Sequence, residues 1–166
     1  DTARSSIDAL AATRRDLDQL VAAATRSAPA AASWSAEQLT RAADGLRDLG
    51  LDPALAADAH ARAGELTEAV TAVTTAATTV RGAVEHAGDA VAGRHPVDDG
   101  DLAAGYEDLV AALAHLTIVS TLYADTATAL RAAVDAVTRD RTALSGLREV
   151  DDLLNRRAEL VADIVT

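Results

Sequence analysis

The sequence predicts an all-α fold: an elongated antiparallel bundle of four or five helices, built on one long heptad-patterned hairpin. Three observations carry this. Alanine, the strongest helix former, supplies 42 of the 166 residues, and aromatic residues make up only 2%. Phe, Met, Cys and Lys are absent, so no β-sandwich or α/β core rich in aromatics can be assembled from this chain. Apolar residues also recur at alternating spacings of four and three over two long segments, the signature of helices that bury a stripe.

The first helix is expected over about 2–26, with Ile7, Leu10, Leu17, Val21 and Ala24 as its stripe and Arg14 in the same seam. Pro29 marks a turn region over 27–34 that holds Trp34. Ser35 with Gln38 three residues on reads as a capping box opening a short helix over 35–49, which Gly50 ends. Asp52-Pro53 then supplies an N-cap and a first-turn proline for a helix over 53–92. Its seam is Leu55, Ala59, Arg62, Leu66, Ala69, Val73, Ala76, Val80 and Ala83, continued by Ala87 and Ala90. After the connection from Gly93 to Gly100, Asp101 caps a helix over 101–144. Its seam runs from Leu102 through Leu109, Leu116, Tyr123, Leu130 and Val137 to Leu144. The phase slips at Ser145-Gly146, which predicts a break before a last helix over 147–165 with Leu147, Val150, Leu154, Val161 and Ile164 as its stripe.

A short connection between two long helices makes them antiparallel neighbours. If the hairpin closes about residues 96–97, Ala76 faces Leu116, Ala83 faces Leu109 and Ala69 faces Tyr123. Small side chains then meet large ones, which fills the seam without voids.

Two uncharged windows mark a candidate site. Between Glu68 and Arg81 lie the hydroxyls of Thr71, Thr74, Thr75 and Thr78. Between Asp108 and Asp125 lie Thr117, Ile118, Val119, Thr121, Leu122 and Tyr123. A helix apolar on most sides is covered on most sides. The windows are therefore read as a bundle centre, a homo-oligomer interface, or a pocket that uses the hydroxyls and Tyr123. Ile118, Val119 and Leu122 decide between these, because they do not all fit on the seam.

Catalytic and metal chemistry find little here. Without cysteine there is no thiolate nucleophile, zinc–thiolate site or disulfide. No nucleophile–base pair, carboxylate pair or glycine-rich phosphate loop stands out, so the chain is read as no enzyme and as needing no cofactor. Of the four histidines, only His86 and His95 could gather with Asp98, Asp99 and Asp101, and those aspartates are explained by helix capping; no metal is expected. Arg14, Arg62 and Arg141 on the seams are read as stems covering apolar surface, with guanidinium groups reaching solvent or an acid such as Asp135.

A net charge of −11 opposes an electrostatic grip on nucleic acid or anionic lipid. No uninterrupted run of 18 apolar residues occurs, so no transmembrane segment is expected. The chain begins at Asp1 and lacks methionine, which fits a processed chain or a domain between membrane spans. These readings converge on the expectation of a non-enzymatic extracytoplasmic protein acting through a protein partner or a homo-oligomer, at the cell envelope. The alternative is a bacterial receptor's sensor domain that binds a small molecule.

Overall fold

The computed structural model describes residues 26–91 and 99–165, with positions 12, 15, 16, 18, 19, 21 and 22 of the N-terminal segment; side chains are described at none of 87–91, 99–101 and 158–165. The fold is all-α. The described residues form three helices, α1 (Ser27–Asp48), α2 (Pro53–Val91) and α3 (Asp99–Val165), with no strand among them. The expected helix over 2–26 lies largely outside the described residues, although its seam residue Val21 is buried with the core.

α1 corrects the first boundary. It begins eight residues before Ser35, so Pro29 and Trp34 sit in helix rather than in a turn, and Ser35 is a buried helical residue rather than an N-cap. The reason lies in Pro29's position. It is the third residue of α1, within the first turn, where backbone N–H groups have no intrahelical acceptor to lose.

The end of α1 follows the expected chemistry. Gly50 takes φ +66°, the left-handed conformation that costs glycine little. The Leu51 N–H then donates to the Leu46 carbonyl at 2.9 Å and the Gly50 N–H to the Arg47 carbonyl at 3.0 Å, which closes a Schellman motif. Asp52 caps α2 as predicted, its Oδ1 accepting from the N–H groups of Ala54 at 3.0 Å and Leu55 at 3.1 Å.

The three helices pack on one another around Leu39, Leu66, Val73, Val80, Leu109 and Leu116, all fully buried. Alanines fill much of the remaining core: Ala32, Ala36, Ala43, Ala59, Ala63, Ala69, Ala77 and Ala127. Such side chains let helix axes approach closely. On α2 the buried row is Ala56, Ala59, Ala63, Leu66, Ala69, Val73, Ala77, Val80 and Val84. It keeps the expected Ala59, Leu66, Ala69, Val73 and Val80 but includes Ala56, Ala63, Ala77 and Val84 beside them, while Leu55 is exposed. A helix with two neighbours buries a wider stripe than a hairpin seam.

The hairpin register differs by about one heptad from the expected one. The Arg62 guanidinium lies 5.3 Å from the centre of the Tyr123 ring, and Glu65 accepts the Tyr123 hydroxyl. A Cβ built on Gly105 would lie 3.5 Å from Val80 Cγ2. Ala76 accordingly shares a groove with Asp108 and Ala112, rather than facing Leu116. The reason is the repeat itself, since a shift of seven returns seam residues to seam positions, so heptad spacing alone does not fix which residues meet.

α3 also corrects the predicted break. It runs unbroken through Ser145 and Gly146, so the two helices expected over 101–144 and 147–165 are one. The Ser145 hydroxyl donates to the Arg141 carbonyl at 3.0 Å, and one glycine inside a helix costs only about 1 kcal/mol. Near the end of α1, Arg141 Nη1 reaches the Leu49 carbonyl at 3.4 Å. Beyond that level α3 projects past the packed helices, and every described side chain from Val137 to Arg157 is exposed.

Candidate functional site

The expected site residues divide between two faces. Thr71 and Thr75 of α2 line an open groove of about 590 Å³ with Thr67, Thr79, Ala72, Ala76 and, from α3, Ala112. Glu68 and Asp108 add carboxylates to its lining. They are the charges that open the two uncharged windows, and their place at the window edges is the signal the sequence holds for them. Thr74 and Thr78 are exposed outside this lining.

The threonine hydroxyls are largely committed to their own helix. Thr67, Thr71, Thr74 and Thr78 donate to the carbonyls four residues earlier at 2.9, 2.8, 2.9 and 2.9 Å. Thr79 does the same at 3.2 Å, and Thr117 of α3 at 2.8 Å. Their donors are thus used and their oxygens remain acceptors. With two carboxylates, the groove presents acceptors and negative charge.

Tyr123 does not join the groove. It belongs to a clasp between α2 and α3, in which Arg62 lies over its ring while pairing with Asp58 at 2.8 Å. The phenol donates to Glu65, which holds its pKa above the ordinary 10.0; burial and the Glu65 charge act in the same direction. Asp135, the acid expected opposite Arg62, instead pairs with Arg131 one turn before it on the same helix at 3.0 Å. The interhelical half of this clasp escaped sequence reading, since heptad spacing does not say which seam residues meet.

The other face lies on α3. Val119 is buried, but Ile118 is 66% and Leu122 63% exposed, and Thr121 is exposed beside them. α3 contains an 18-residue window within Leu102–Arg157 whose length and composition would suit a membrane crossing, and only 22% of it is buried. The expectation of no such segment is amended to that extent. The uncharged stretch between Asp108 and Asp125 is nevertheless about 24 Å long, short of a hydrocarbon core of about 30 Å.

Among the described residues no group of three His, Asp or Glu side chains is placed to hold a metal. Most of the cluster considered at the hairpin tip lies outside them, since side chains are not described at His95, Asp98, Asp99 and Asp101. No protein-family model, curated protein or solved structure matches the chain. What the fold defines is therefore a class, an all-α chain with one long, partly uncovered helix.

Proposed function

We propose that this is a non-enzymatic helical protein that works by protein–protein association, in an extracytoplasmic setting at the cell envelope. The observation carrying the reading is the outward face of α3, where Ile118 and Leu122 stand open beside a packed core. A chain that can bury Leu109 and Leu116 completely gains by burying these residues too, and a partner surface does so.

The groove favours a second reading, a sensor domain whose ligand is small and carries cationic or hydroxyl donors for Glu68, Asp108 and the threonine oxygens. Light scattering combined with a thermal-shift screen of amines and polyols separates the two. A species heavier than the 17.0 kDa chain, with no ligand shift, is the expected result. A 17.0 kDa species stabilised by one such compound would overturn association in favour of the sensor.

A further inference from the structure

We infer that the occupant of the outward face of α3 is α3 of a second copy, crossing antiparallel near Ala136. This rests on the association reading and names its partner. Ile118 and Leu154 are separated by ten turns of ideal helix, so they point to the same side of the unbroken α3. One outward stripe therefore links Ala111, Ala114, Ile118 and Leu122 to Ala129, Ala132, Ala136 and Ala143, and then to Leu147, Val150 and Leu154. The apparent phase slip near Ser145 is the sequence passing from the inner seam to this outer stripe. Leu147, Val150 and Leu154 are 65%, 53% and 56% exposed.

Area favours a stable pair. A helix face about 10 Å wide, followed for about 60 Å over the stretch 115–157 that this axis pairs with itself, offers about 600 Å² per copy, which clears the roughly 1,000 Å² in total of a specific interface.

The stripe is also self-complementary, with large residues at both ends and alanines between. A two-fold axis at Ala136 sets Ile118 on Leu154, Leu122 on Val150 and Ala129 on Ala143. Alanines at the crossing allow close approach, and the larger side chains fill the space where crossed helices diverge. This register keeps the two acids on the stripe, Asp125 and Asp140, away from each other; a shift by one heptad would set them face to face. The projecting end of each copy then covers the open belt of the other. A membrane surface fits less well, because Asp125 and Asp140 lie on the stripe and the chain carries a net charge of −11.

The cysteine-free sequence makes cross-linking decisive. In the full chain, Ala136→Cys is expected to form a disulfide-linked pair on mild oxidation. Ile118→Cys alone should not, but should cross-link when mixed with Leu154→Cys. Ile118→Asp and Leu154→Asp, both at exposed positions, should keep the helical circular dichroism and reduce the mass by light scattering from twice 17.0 kDa to 17.0 kDa. Cross-linking of Ile118→Cys to itself would mean a parallel pair and overturn the proposal. A multimer indifferent to both aspartate variants would overturn this interface while leaving association standing. A wild-type chain that stays monomeric overturns the proposal, as does one that instead binds mixed phosphatidylcholine–phosphatidylglycerol vesicles through Ile118. Failure of association itself would appear separately, as a monomer stabilised by an amine or polyol.

Discussion

At Gly45 the packing of α1 on α3 depends on a missing methyl group. A Cβ there would stand 2.5 Å from Cγ1 of the buried Val134, a stiff β-branched neighbour. Gly45→Ala is expected to destabilise by about 1–2 kcal/mol, overpacking outweighing the gain in helix propensity. Chemical denaturation should show the cost disappear in a Val134→Ala background. Gly64, with nothing near its built Cβ, should behave oppositely, Gly64→Ala stabilising by about 0.5–1 kcal/mol. Tyr123 makes a pH-dependent contribution. Its folded pKa lies above 10.0, so its contribution is whole below 10.0 and is lost as pH rises through the folded value, because the unfolded chain gives up the proton first. Urea midpoints at about pH 8 and about pH 11 should fall more steeply for the wild type than for Tyr123→Phe.

At the scale of elements, α3 has two different environments along one continuous helix. Leu116 is fully buried against its neighbours, and Leu116→Ala should cost about 2–5 kcal/mol. Leu153, exposed on the projecting part and off the outward stripe, should tolerate alanine within about 0.5 kcal/mol. Gly146→Ala should raise the helical signal and stability slightly, as expected of open space inside an unbroken helix. A loss of stability there would point to the hinge that the sequence pattern suggested.

At the scale of the whole molecule, stability should be indifferent to metal. Excess EDTA is expected to leave the melting temperature unchanged, as followed by circular dichroism. A large fall would direct attention to His86, His95, Asp98, Asp99 and Asp101. The molecule joins a packed body to a projecting apolar helix, and only the body can provide for its own burial within one chain. The proposed association rests on that contrast.

The sequence by itself determined the local features. Alanine content and heptad spacing made the fold all-α, Gly50 ended α1 and Asp52-Pro53 opened α2, because capping and propensity act within a few residues. The sequence also located Ile118 and Leu122 as residues that a hairpin seam could not hold. Tertiary structure decided the register, because a heptad pattern matches itself after every seven residues. It decided that α1 should extend back through Pro29 and that α3 should pass Gly146, where weak local signals did not stop the helix. It brought Glu65 and Arg62 to Tyr123 and set Glu68 and Asp108 in one groove, pairings between residues far apart in the chain. Above all it separated the two stripes of α3, one turned to the core and one away from it. Spacing can show that a helix has two apolar sides, but only packing can show which of them its neighbours leave uncovered.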